Sequence, residues 1–217
     1  FIIDGDVSHR DSTGGESVIK TGGIQWMTAG SGLIHAEISS EEFLKTGGKE
    51  EVLQLWVNLP AANKMTPPAY YGFNKEQIPV KEFDERKVKI QIIAGAIAGE
   101  QGPIQPPSGV NLSRVDIAAN GSITLSAPES DNIFCYCVSG SLNVNGSEIT
   151  TRHLVHFNFE GTDVEVSAKS DSILLWGHAK PFNEPVASYG PFVMNSEAEI
   201  HQAIKDYQEG KMGVWKE

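Results

Sequence analysis

The feature that most limits what this chain can become is its punctuation. Short apolar runs rich in β-branched and aromatic residues recur along most of its length, among them Ile24–Thr28, Leu33–Ile38, Leu112–Ile117, Ile133–Val138 and Leu154–Phe159. Between them stand turn dipeptides such as Asp4-Gly5, Gly14-Gly15, Asn120-Gly121 and Asn145-Gly146. Runs of this length are too short for core helices, and turn chemistry at such close spacing predicts an all-β sandwich or barrel. One helix stands out against that background. Ser196 can cap, Glu199 completes a capping box, and Ile200, Ala203, Ile204 and Tyr207 recur at helical spacing before Gly210 closes the turn. A shorter helix is expected near Lys75–Gln77.

A chain of 217 residues suits one large domain or two small ones. The most charged stretch, Lys81–Lys87, follows Pro79 and divides the strand-rich regions, so a boundary is expected between residues 79 and 89. Residues 1–80 and 81–217 then form two β domains, the second carrying the helix. Both have the texture of a duplicated barrel that has diverged. The opening Phe1-Ile2-Ile3, running into Asp4-Gly5, reads as the second half of a strand, so the chain as given is expected to start within a domain.

Charge removes several function classes. The net charge is −11 with no basic run, which argues against direct contact with nucleic acid or an anionic membrane surface. No apolar run approaches the roughly 18–20 residues of a membrane span. Two cysteines cannot make a disulfide framework, which favours a reducing compartment: the cytoplasm, or the nucleus in a eukaryote. The glycine-rich stretches match neither a phosphate-binding loop nor a dinucleotide fingerprint, and there is no nucleophile elbow.

Candidate chemistry centres on Leu33-Ile34-His35-Ala36-Glu37, the second of two strands joined by Gly30-Ser31-Gly32. Residues two apart on a strand share a face, so His35 and Glu37 project together. An imidazole and a carboxylate directed into a barrel interior need partners. A divalent metal would supply one, and N/O ligation suits iron, manganese, nickel or zinc. A His-x-Glu pair by itself usually means a hydrogen-bonded surface pair, and metal ligation is the less common reading of that spacing. On an expected strand Leu53–Leu59, Gln54 and Trp56 share one face and could line a substrate pocket, or simply pack in the core. His9 falls in an expected hairpin loop, His9–Gly15, and reads as a surface residue, with metal ligation the alternative. Cys135 and Cys137 share a strand face and read as small buried hydrophobes. His153 and His156 point to opposite faces, His178 reads as a loop residue at a strand end, and His201 as a surface residue of the helix.

The ordered segments His9-Arg10-Asp11-Ser12, Ile24 through Glu37, Leu53 through Pro60 and Lys64 through Pro68 resemble the pirin family of bicupins. So do the closing segments Pro181 through Pro185 and Gly190 through Ser196. The resemblance implies two tandem cupin barrels, the first holding one metal, usually iron, through three His and one Glu. His35 and Glu37 match the last His and the Glu of that set. The other two belong to a His-x-His pair on a preceding strand, with no counterpart in this sequence, so the site is expected to be incomplete here. The implied activity is that of a quercetin 2,3-dioxygenase, using Fe(II) and O₂ on a small flavonol-like compound, with Glu37 as the proton acceptor. The implied alternative is a non-enzymatic, iron-binding regulator that docks on a protein partner of the transcription-factor kind. Another cupin chemistry, isomerisation or decarboxylation with a different divalent metal, is the third reading. A monomer is expected.

Overall fold

The computed structural model describes residues 1–214, which fall into two compact units divided between Gln77 and Ile78. The segment from Phe182 onward belongs with the first unit rather than with the strands that precede it in sequence. The reason is a set of polar clasps. The Ala61 N–H donates to Glu184 Oε2 at 2.7 Å, and Ser12 Oγ donates to the Met212 carbonyl at 2.7 Å.

The first unit begins with β1 (Ile2–Asp4), β2 (Asp6–Asp11), β3 (Glu16–Lys20), β4 (Ile24–Thr28) and β5 (His35–Ile38). A short helix α1 (Glu41–Thr46) follows, then β6 (Glu51–Val52) and β7 (Ala69–Phe73). Three small antiparallel sheets result: β1 with β6, β4 with β7, and β3-β2-β5. The strands flanking Gly30-Ser31-Gly32 therefore do not pair with each other; each takes a different partner. Gly30 has a φ of +53°, and a Cβ there would lie 2.1 Å from the Thr66 carbonyl, so only glycine permits that crossing. Helix α1 was not legible as a periodic run. Ser40 caps it by accepting from the Phe43 N–H at 3.1 Å. Buried Asp6 fixes that cap in turn, accepting from the Ser40 N–H at 2.9 Å and from its hydroxyl at 2.7 Å. The exit of β5 is thus tied back to β2. Ile2, Val7 and Ile19 form a small apolar cluster under β1–β3.

The second unit starts with β8 (Val80–Phe83), β9 (Val88–Ala94), a small hairpin of β10 (Ala96–Ile97) and β11 (Glu100–Gln101), β12 (Asn111–Ile117) and β13 (Ser122–Ser126). It continues through β14 (Asn132–Ser139), β15 (Ser141–Val144), β16 (Ser147–Thr150), β17 (His153–His156), β18 (Asp163–Ala168) and β19 (Ser172–Ala179). Two sheets form, ordered β17-β14-β19-β12-β9-β8 and β13-β18-β15-β16. Val88, Ile90, Ile92, Leu174 and Trp176 from the first sheet meet Leu142 and Val166 from the second in one buried core. Each such side chain contributes about 1.5–3 kcal/mol by leaving water.

After this unit come β20 (Ala187–Tyr189), β21 (Phe192–Met194) and the helix α2 (Glu197–Gln208). The helix starts where the sequence predicts. Ser196 Oγ accepts from the Glu199 N–H at 3.3 Å, while Glu199 Oε2 accepts from the Asn195 N–H at 3.1 Å. The all-β architecture with a short C-terminal helix is therefore as expected. A 3₁₀ turn occupies Lys75–Gln77. The strand expected over Leu53–Leu59 is not formed: β6 covers Glu51–Val52, Leu53 still exchanges backbone hydrogen bonds with Phe1, and residues 54–59 form no strand. Among the described residues no helix is long and apolar enough to cross a membrane.

Candidate metal centre

Strands β2 and β5 pair antiparallel, with His9 opposite Glu37 and Asp11 opposite His35. Directly opposed residues share a face, as do residues two apart, so all four project from one side of the ribbon. Register alone therefore brings His9 to the pair that the sequence singled out. One ligand-capable atom from each of His9, His35 and Glu37 lies within 4.8 Å of the other two.

His9 is the side chain that sequence reasoning misplaced. It sits on β2, not in a loop, and is fully buried. Its Nε2 lies 3.0 Å from Asp11 Oδ2, and its Nδ1 has no hydrogen-bond partner. The Tyr70 ring on β7 stacks on the imidazole at 3.8 Å and 7°, and the Tyr70 hydroxyl is 2.5 Å from Ser17 Oγ. Burial raises the Tyr70 phenol above its ordinary range, and the Glu37 charge adds to that. The signal for His9 was in the sequence: His9 and Asp11 are an i,i+2 pair like His35 and Glu37. The Gly14-Gly15 turn drew the assignment toward a loop.

Asp11 is the hub behind His9. Its Oδ2 faces the imidazole, while Oδ1 accepts from the N–H groups of Thr13 (2.8 Å) and Gly15 (3.1 Å) and from the Thr13 hydroxyl (2.5 Å). Burial works against the charged form of this carboxyl. The hydrogen bonds from Thr13, His9 and Gly15 outweigh it and draw the pKa down to about 2.

His35 is half-buried, with its ring centroid 5.7 Å from that of His9 and its Nδ1 buried without a partner. Glu37 is exposed, so the burial that the sequence placed on Glu37 falls on His9 instead. Gln54 reaches this carboxylate, its Nε2 standing 3.5 Å from Glu37 Oε2. Trp56 is 63% exposed.

These residues fit a divalent metal. A buried ring nitrogen without a partner costs about 1–3 kcal/mol, and each of the two imidazoles that converge here beside a carboxylate carries one. Two imidazoles and a carboxylate are the donor set that non-haem iron, nickel or zinc accepts.

The other candidates lie apart from this cluster. Cys135 and Cys137 are fully buried, and burial, followed by the neighbouring Cys137 sulfur, pushes the Cys135 thiol up to about 12. His178, expected in a loop, lies on β19, with its Nδ1 2.8 Å from Asp131 Oδ2 in a closed, mostly buried pair. The β14–β19 pairing, which places Ile133 opposite His178, carries the histidine inward. His153 and His156 stand exposed on β17, and His201 is exposed on α2.

Comparison with known proteins places this geometry in context. The Pirin family model matches residues 1–57, and the model for the Pirin C-terminal cupin domain matches residues 112–213. Pirin-1 of Arabidopsis thaliana is 37% identical over 222 residues, spanning 98% of this chain and 74% of that protein. The crystal structure of quercetin 2,3-dioxygenase from Acinetobacter baumannii is 38% identical, with a TM-score of 0.94 over 99% of this chain and 75% of that one. A bacterial pirin from Escherichia coli, solved in complex with nickel(II), shares the fold at 20% identity and a TM-score of 0.67, over 83% of this chain and 71% of that one. Similarity of this extent, matched in both halves and joined to an all-β architecture with a His/Glu cluster on its β2–β5 ribbon, identifies the chain as a member of the pirin family.

Proposed function

We propose that this chain is a metal-dependent oxidoreductase. In this reading it holds one divalent metal, iron in the first instance, through His35 and Glu37, and acts with O₂ on a small flavonol-like aromatic compound. The observation that carries the proposal is the convergence of Glu37 with imidazoles that each carry a buried nitrogen without a protein partner, within the segment that the Pirin family model matches. The name of the Acinetobacter baumannii structure supports the substrate class. The nickel(II) complex of the Escherichia coli pirin supports a metal, without deciding which.

When bound, such a metal supplies Lewis acidity and open positions at which a hydroxy-ketone and O₂ can meet. The residues of the chain do the rest. Glu37 is exposed and accepts the proton of the substrate's enolic hydroxyl at a carboxylate oxygen. Gln54 steadies the carboxylate from the amide side. Tyr70, stacked on His9, closes the floor of the site and excludes water from behind the imidazole.

The test is O₂ uptake by the iron-loaded chain with quercetin, compared with the apo chain and with Glu37→Gln. Turnover dependent on iron and lost in Glu37→Gln supports the proposal. Iron binding without O₂ uptake on any flavonol or catechol overturns the enzymatic part.

A further inference from the structure

Resting on that metal reading, we infer that His9 is a metal ligand through Nδ1, and that Asp11 is the positioning residue that makes it one. The set then becomes two histidines and a carboxylate, His9, His35 and Glu37, drawn from one antiparallel ribbon.

The argument starts from hydrogen-bond bookkeeping at Asp11. Its Oδ1 accepts from two backbone N–H groups and a hydroxyl, and all of these require an acceptor. Its Oδ2 faces His9 Nε2 at 3.0 Å, and an ionised carboxylate only accepts. The proton of a neutral His9 therefore resides on Nε2, leaving Nδ1 as a bare lone pair. That lone pair is buried and has no donor facing it. A core histidine satisfied by its surroundings would not be left this way. His9 cannot escape by turning either: Tyr70 stacks on one face at 3.8 Å, and Asp11 pins the ring edge. A carboxylate behind an imidazole is also the arrangement that orients histidines toward metals.

The same bookkeeping makes a sharp variant available. In Asp11→Asn the loop amides still require an acceptor, so the new amide oxygen stays on their side and its NH₂ turns toward His9. Nε2 must then accept, the imidazole proton moves to Nδ1, and the ligand position is blocked. The loop keeps its hydrogen bonds, so the fold is retained.

The experiment loads the full chain with Cu(II) and counts coordinated imidazoles by pulsed electron paramagnetic resonance. Co(II) affinity is read in parallel by titration. Two imidazoles are expected in the wild type and one in each of His9→Gln, His35→Gln and Asp11→Asn. Co(II) binding is expected to weaken about 10–100-fold in Asp11→Asn. Circular dichroism confirms that each variant is folded. If His9→Gln and Asp11→Asn both keep the wild-type count and affinity, the inference is overturned. A single imidazole in the wild type, lost only in His35→Gln, overturns the role of His9 and leaves the metal reading standing. No metal uptake by the wild type, or none lost in His35→Gln, overturns the metal reading and the inference with it.

Discussion

Gly15 offers a direct way to strike the centre without touching any residue in it. A Cβ at Gly15 would lie 2.5 Å from Asp11 Oδ2, 3.1 Å from Cγ and 3.3 Å from Oδ1. The backbone there is not left-handed, so Gly15→Ala acts through this collision alone. A collision with the tip of a free side chain would be cheap. Here the tip is buried and held by four hydrogen bonds, so it must break at least the one to His9. A hydrogen bond to a charged group is worth about 1.5–3 kcal/mol. Replacing glycine by alanine at a compatible backbone position returns about 0.4–1 kcal/mol through the unfolded chain. The net expectation is a loss of about 0.5–2.6 kcal/mol. In an Asp11→Ala background the collision is gone, so the sign reverses and the same substitution stabilises by about 0.4–1 kcal/mol. The assay is a double-mutant cycle by urea denaturation, following the unit that contains the site through Trp26. Equal cost in both backgrounds, or no cost in either, would refute the reasoning. Gly14→Ala serves as a control. Its φ of +93° strains the backbone but a Cβ there meets nothing, so it should show no coupling to Asp11.

Other outcomes follow from the same structure. The folded Asp11 carboxyl titrates near 2 against an ordinary 3.8, so its stabilising effect is complete above about pH 4 and is lost as pH falls toward 2. Acid unfolding of Asp11→Asn should lack that component, and identical acid profiles would contradict it. Cys135 and Cys137, buried with raised thiol pKa values, should resist a thiol reagent at pH 8 until the protein is unfolded; rapid labelling of the native chain would show the packing to be wrong. Ser196→Ala removes the cap of α2 and should cost about 1 kcal/mol, seen as faster amide exchange in its first turn. Trp176→Ala opens the core of the second unit and should cost about 3–5 kcal/mol in the denaturation of that unit.

The sequence by itself determined the class of the fold. Turn dipeptides, short β-branched runs and one capped amphipathic stretch are local signals, and each is set by a few neighbouring residues. For the same reason His35 and Glu37 were legible as a pair sharing one strand face. Tertiary structure decided what those residues meet. That His9 opposes Glu37 depends on the register of β2 against β5, and register is a long-range property that local spacing does not encode. The burial of His9, the stacking of Tyr70 and the return of Met212 to Ser12 likewise join residues far apart in sequence. Leu53–Leu59 shows the converse. Its alternation reads as a strand, but a strand exists only where a partner lends its backbone groups, and among the described residues of this run only Leu53 exchanges backbone hydrogen bonds, with Phe1. The chain wrote its own strands and turns, and only the folded ribbon placed a third ligand-capable side chain beside the two that the sequence displayed.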